Sequence, residues 1–522
     1  HESWMKNIEN PVGVLSLYDR QLHQTDIMLS GYAEVDLFVE GLKYKLNVGV
    51  NRTTGRNYDK KGEPHVYGDQ FLQSYLRESA FFNNQWLIEN TLHYDRTFDK
   101  HTLSVLAGYS SQENRSRNFG LGRMDLPKGT DAIDAAALDQ QSTNGGAQEE
   151  ALISQFGRLM YSYDSRYLLT ATVRRDGSSK FAEGHRYGVF PSIALGWNVM
   201  NERFFESAKN TVNEFKLRAS YGRLGNQNIA NYTTQFNTTY GINYIQGGKL
   251  WLGAIPGYNW VSPNSLTWEE TETSNIGLDL AFLQSRLSIS AEYYKRDTKG
   301  ILLGINQPAS SGLGGSPTMN AGDISNKGFE FLASYRDAVG AVNYSIAVNA
   351  STVKNTLKAV TIGNVQEFSG FNPHEEGNIT WARVGYPIGG FWLIKTDGIF
   401  QTDAEVQAHK SSDGTVIQPN AKAGDIRFVD FNDDGKITDY DDAQYLGSPF
   451  PKLAYGLRGN VEYKGIDLGF FFDGMYGNKI YNYTRARIES TNEGNNHSTS
   501  LLNSWTPANT NTDIPRYTRD DP

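Results

Sequence analysis

Apolar residues recur at every second position through long stretches of this 522-residue chain, and the alternating runs come in pairs joined by very short turns. A period of two puts apolar side chains on one face of an extended strand and polar ones on the other. The clearest pair spans 453 to 476. There Leu453, Tyr455, Leu457, Val461 and Tyr463 alternate with Ala454, Gly456, Arg458, Asn460 and Glu462. After Lys464 and Gly465, the returning run sets Ile466, Leu468, Phe470, Phe472 and Tyr476 against Asp467, Gly469 and Asp473. The same form recurs at 276 to 294, turning at Gln284 and Ser285, and at 153 to 174, turning at Asp164 and Ser165. Further pairs fall at 27 to 50, 86 to 109, 189 to 221 and 329 to 350. Seven hairpins, or roughly fourteen strands, are predicted, many reaching the roughly 9 to 11 residues that a tilted strand needs to cross a bilayer. No amphipathic helix of similar clarity competes with them.

The connections are asymmetric. Turns within pairs are mostly two to four residues, with 200 to 212 as an exception. Between pairs the predicted loops are long, at about 54–83, 114–151, 224–271, 298–325 and 355–451. Tight turns at one rim and elaborate loops at the other fit an all-β, antiparallel transmembrane β-barrel, whose long loops are extracellular. The alternative is a soluble all-β surface protein, a sandwich or propeller that binds glycan or mediates adhesion. That fold would carry turns every 8 to 12 residues or so, without alternating turn length.

Composition changes the picture in four ways. Apolar residues make up 39% and aromatics 12%, with 52 Gly against 16 Pro, a balance suited to turns and strand faces. The mean hydropathy of -0.52 and the lack of a long apolar run exclude a transmembrane helix, yet leave a barrel open, because its two faces average out. The absence of Cys excludes disulfides, thiolate catalysis and Cys-based zinc sites. A net charge of -9 without a basic stripe excludes a nucleic-acid partner. The opening HESWMKNIENPVG lacks the basic and apolar regions of a signal peptide, so a removed signal or a start within a longer protein is expected.

Two segments carry candidate chemistry. DFNDDGKITDYD at 430–441 places Asp430, Asn432 and Asp434 at loop positions one, three and five and Gly435 at six, in the pattern of a calcium loop. Alternate oxygen ligands converge on one hard cation, the Lys436 carbonyl supplies position seven, and Asp441 closes the shell in place of the usual Glu. The other reading is a metal-free Asp/Asn/Gly turn. Even with Ca2+ bound, the ion would brace the long 355–451 loop and not react. The second segment, 224–271, is rich in rings, and Tyr240, Tyr244, Trp251, Tyr258, Trp260 and Trp268 are candidate substrate-stacking residues. The same rings could instead fold the loop onto itself. Nothing indicates an enzyme. There is no H-E-x-x-H, no G-x-S-x-G and no phosphate-cradling glycine loop.

RRDGSSKFAEGHRYGVFPSIALGWNVMNERFF at 174–205 resembles the SusC/RagA group of TonB-dependent outer-membrane transporters of Bacteroidetes, with its R-x-D-G-S-S-x-F loop followed by R-x-G-x-F-P-S-x-x-x-G-W. Five further blocks agree in the family's order, at 217–229, 268–302, 322–331, 385–402 and 423–456. The resemblance extends over nearly the whole chain. It implies that residues 1–522 are the central and later part of a barrel of about 22 strands, with plug, TonB box and final strands expected from residues outside this sequence. It also implies function: TonB-driven import of an oligosaccharide, or in some members an oligopeptide, across the cell outer membrane. The implied partners are TonB itself, membrane lipid and a SusD-like surface lipoprotein that caps the barrel, commonly in a dimer of transporter and lipoprotein units.

Overall fold

The structure is a computed structural model describing residues 11–62, 65–67, 70–235, 238–241, 243–256, 265–305, 310, 317–360, 367–369, 378–490 and 497–518. Fourteen strands follow one another in a single antiparallel path, each paired with its neighbour in sequence. They are β1 (Tyr18–Asp36), β2 (Leu42–Lys61), β3 (Tyr75–Phe98), β4 (His101–Met124), β5 (Gln141–Tyr163), β6 (Tyr167–Ser178) and β7 (Tyr187–Asn198). The path continues through β8 (Val212–Asn226), β9 (Glu269–Phe282), β10 (Leu287–Lys299), β11 (Gly322–Val339), β12 (Val342–Ser351), β13 (Leu453–Tyr463) and β14 (Ile466–Tyr476). All seven expected hairpins are present. Among the described residues, β1 and β14 each pair on one side only. No described helix is long and apolar enough to cross a membrane.

Register carries the alternation from strand to strand. Tyr344, Ile346 and Val348 of β12 stand opposite Val461, Gly459 and Leu457 of β13, which in turn face Leu468, Phe470 and Phe472 of β14. In the same way Leu169 and Ala171 meet Leu195 and Ile193, and these meet Ala219 and Tyr221. One sheet face is therefore a continuous apolar band, and it is open to solvent: Ile276 is 67% exposed and Phe472 62%. Rings border the band. On β13, Tyr455 and Tyr463 lie at its two edges, eight positions or about 26 Å apart along the strand. At the turn rim Tyr163 stacks near Tyr167 at 6.4 Å, and Tyr335 lies 6.0 Å from Tyr344.

The opposite face is richer in polar groups, with Met160, Leu332 and Phe471 set among them. Arg218 pairs with Asp279 at 3.1 Å and also with Glu292, while Ser290 donates to Asp279 at 2.7 Å. Arg174 bonds Asp176 at 2.7 Å and Ser154 at 2.7 Å.

The loops differ from expectation at both ends. β3 and β4 are 24 residues each, about 80 Å when extended. The expected loops 54–83 and 114–151 therefore shrink to connections between Lys61 and Tyr75 and between Met124 and Gln141. The reason lies in the residues. Past Val50, Trp86, Gln112 and Ala151 the strands carry polar groups on both faces, so pairing continues where the apolar alternation has ended. The expected loop 355–451 is also structured. Residues Lys354–Val360 continue the β12 direction and pair with β11, and Thr380–Arg383, Gly390–Ile394 and Ala443–Gly447 form a small sheet with Glu367–Ser369. Arg516 holds Asp425, which is 3% exposed, through two contacts of 2.5 and 3.1 Å, so the end of the described chain closes this excursion.

Candidate functional site

The loop rim gathers both predicted segments, but places their residues differently. Trp268 is buried at 8% exposure in a cluster with Phe181, Phe190, Ile229 and Leu266. Its ring lies 5.1 Å from Phe181 and 5.4 Å from Phe190, and its indole N–H donates to the Arg186 carbonyl at 3.1 Å. Every face is used in packing, so Trp268 anchors the loop and has no face to offer a substrate. The R-x-D-G-S-S-x-F run has the same structural office: Ser178 is buried, its N–H donates to the Arg186 carbonyl at 3.0 Å, and Phe181 is 1% exposed.

Tyr244 and Trp251 do face outward. They stand opposite each other on a hairpin of Tyr244–Gln246 and Lys249–Trp251, at 53% and 51% exposure. The Trp251 indole donates to the Gln246 carbonyl at 3.3 Å, which fixes the ring's edge and leaves its face free. Tyr240 pairs with Ala254 on a neighbouring short ladder. Tyr258 and Trp260 lie outside the described residues.

On the long strands the polar face forms a wall. A cavity of about 370 Å³ opens on the long strands β2 to β5, with Asn57, Asp59, Arg77, Ser79, Ser142 and Asn144 around Gly120. A Cβ on Gly120 would come within 2.5 Å of the Asn144 side chain, so glycine is what keeps the cavity open. Lower on the same face, the Oδ1 atoms of Asn51, Asn83 and Asn114 are buried with no partner among the described residues. Sequence reasoning missed this wall, because its residues were assigned to loops. Polar residues on both faces of consecutive long runs were the available signal, interrupted only by scattered rings and leucines such as Leu76, Phe81 and Phe119.

The candidate calcium loop is closed by its own hydrogen bonds. Asp430 accepts from the Gly435 N–H at 2.8 Å and the Asp434 N–H at 3.3 Å; Asn432 accepts from Asp434 N–H at 3.1 Å, and Asp434 from Lys436 N–H at 3.0 Å. Gly435 supplies the sharp turn with φ of 79°. Positions one to six thus fit the loop pattern. The closing carboxylate does not: Asp441 is exposed, whereas Asp442 is fully buried and accepts from Phe431 N–H at 2.8 Å and Thr438 N–H at 2.7 Å. Among the described residues no three His, Asp or Glu side chains converge as a metal-binding group. Nearby, hydrogen bonds from the Ser411 hydroxyl and the Thr415 N–H hold the Asp413 carboxyl down at about 2, and Ser412 lowers Asp433.

Residues 13–424 match the family described as TonB dependent receptor-like, beta-barrel. The chain belongs to this family. Membership of this barrel family sets aside the soluble sandwich or propeller alternative and makes the apolar band the lipid-facing surface. TonB-dependent receptor P26 of Formosa agariphila is 33% identical over 447 residues, covering 83% of this chain and 43% of the relative. TonB-dependent receptor P3 of the same organism is 31% identical over 98% of this chain and 50% of the relative, and TonB-dependent receptor SusC of Bacteroides thetaiotaomicron is 25% identical over 91% and 45%. The chain thus spans about half the length of these curated relatives. Among solved structures, the RagAB peptide transporter shares the fold with a TM-score of 0.82, at 23% identity over 98% of this chain and 54% of that one.

Proposed function

We propose that this TonB-dependent receptor segment supplies the barrel wall and external loops of an importer of SusC/RagA type, which moves an oligosaccharide inward under the pull of TonB. The observation that supports the reading is the continuous register, which sets an apolar surface toward lipid and a hydrogen-bonding wall toward the passage. In this reading the loop rim is extracellular and is capped by a SusD-like lipoprotein, in a dimer of transporter and lipoprotein units. Cargo chemistry follows from the residues present: Asn57, Asp59, Arg77 and Asn144 offer donors and acceptors suited to sugar hydroxyls, and the exposed Tyr244 and Trp251 rings are suited to sugar faces. Binding and gating, not bond breaking, are the whole of its chemistry.

The residue order at 430–441 also supports a structural calcium ion held by Asp430, Asn432, Asp434 and the Lys436 carbonyl, with Asp441 swinging in to complete the shell.

The test uses the full-length transporter co-expressed with its lipoprotein, and follows uptake of labelled oligosaccharides and labelled oligopeptides. Oligosaccharide uptake that needs TonB and falls at least tenfold in Trp251→Ala supports the proposal. Uptake of peptide alone would change the cargo, and uptake independent of TonB would remove the mechanism.

A further inference from the structure

Among the described residues, the lipid-facing surface is broken where β12 and β13 part. β12 and β13 are paired from Ser351 and Ala454 downward, but above that level their chains diverge, the first into Lys354–Val360 and the second toward Ala443–Gly447. Between them lies a cavity of about 860 Å³, the largest of those described. Its described lining includes Lys327, Lys354, Lys452 and Lys479 and contains no Asp or Glu. None of these four ammonium groups has an ion-pair partner among the described residues, in a protein whose net charge is -9.

The height of the cavity on the wall is fixed by register. Tyr293 and Phe329 stand opposite each other with ring centroids 4.9 Å apart, both lining the cavity and both on the apolar face. They end the lipid-facing series Ile289, Ala291 and Ala333, Phe331. One step further, the same face turns charged: Lys295 pairs with Asp297 at 2.6 Å, and Lys299 with Glu272 at 3.1 Å. The cavity therefore lies at the interfacial level on the loop-rim side, where rings meet lipid carbonyls and lysines meet phosphates. Lys327 pairs directly with Lys354 across the strands, so two like charges are held side by side with nothing described to offset them. Lys452 lies over Gly477 and Lys479 over Gly447: a Cβ on either glycine would come within 2.9 Å of the lysine stem. Those stems are laid along backbone, which directs the ammonium groups by packing rather than by a counter-charge.

We propose that this cleft holds the phosphate-bearing headgroup of a membrane lipid, with the four lysines on the phosphate and Tyr293, Phe329, Tyr386 and Tyr445 against its less polar part. The inference rests on the transporter reading for its orientation, which makes the lipid one of the outer leaflet. It is tested with the full-length transporter in mild detergent by native mass spectrometry, titrating phosphatidic acid or phosphatidylcholine. The comparison is between wild type, the quadruple variant Lys327→Gln, Lys354→Gln, Lys452→Gln and Lys479→Gln, and the control Lys295→Gln outside the cavity.

Retention of phosphatidic acid by the wild type and the control at a tenfold lower concentration than by the quadruple variant, with phosphatidylcholine held equally weakly by all three, is the expected result. Equal retention by wild type and quadruple variant overturns the site, and so does an equal loss in Lys295→Gln, which would show only general charge attraction. Inorganic phosphate that binds without lipid and displaces it completely would also overturn the lipid assignment. A heat-modifiable gel shift in every variant confirms that the barrel has folded. Outer-membrane fractionation of the wild type tests the transporter reading separately, so the two can fail independently.

Discussion

Trp268 shows what a single ring does at the loop rim. Because its indole fills the space between Phe181 and Phe190, Trp268→Ala leaves a void, and the Arg186 carbonyl keeps only its bond from the Ser178 N–H. The expected loss is about 3 kcal/mol or more, concentrated in this cluster. Amide exchange at Ile229 should accelerate by roughly a hundredfold, while exchange in β13 stays unchanged. Equal acceleration in both places would mean that the cluster is part of the global fold. At Asp430 the expectation is chemical. Elemental analysis of wild type should find one calcium per chain, lost in Asp430→Ala with Asp434→Ala; no calcium in wild type reduces the loop to an Asx turn. Residue chemistry was only partly legible in sequence. The spacing 430, 432, 434, 435 foretold the turn, but alternation cannot say whether position 441 or 442 faces inward. Likewise, a ring count cannot separate Trp268, buried among other rings, from Trp251, exposed on a hairpin.

At the scale of elements, close approach of strands decides what is tolerated. Phe190 lies over both Gly188 and Gly225, and a Cβ on Gly225 would fall 2.0 Å from its ring. Gly225→Val must push Phe190 out of the cluster with Trp268, at an expected cost of about 1–3 kcal/mol. A lowered heat-modification temperature of the purified barrel would show it, and an unchanged one would mean the ring swings aside freely. The turn at 411–415 has a pH dependence of known sign. The Asp413 carboxyl titrates at about 2 in the fold, below its ordinary range, so its contribution is full above the unfolded value and is lost as pH falls toward 2. Cleavage by pepsin between Ser411 and Thr415 should rise steeply below pH 4, and Asp413→Asn should be cleaved readily across that whole range. The hairpins themselves were legible because burial against lipid enforces a period of two. The upper halves of β2 to β5 were not, since water on both faces removes that constraint while the hydrogen-bonded ladder continues.

For the whole molecule, the sequence pattern and the paired register agree on a wall with one greasy and one wet face, and the length of chain between turns sets its height. What periodicity could not show was the cleft between β12 and β13. It depends on where two neighbouring strands part company, which is a property of Lys354–Val360 and Ala443–Gly447 choosing other partners. The lysines that line it are scattered over 327, 354, 452 and 479, too far apart in sequence to form a motif.

The clasp between Asp425 and Arg516, together with the bond of 2.9 Å from the Trp505 indole to Gln401, spans sequence separations of 91 and 104 residues. Both β13 and β14 lie between the partners. The excursion between β12 and β13 is therefore fastened not by its neighbours in sequence but by segments that lie beyond two later wall strands. Such long closures are slow relative to hairpin formation. Until that closure is made, the largest insert between wall strands lacks this clasp.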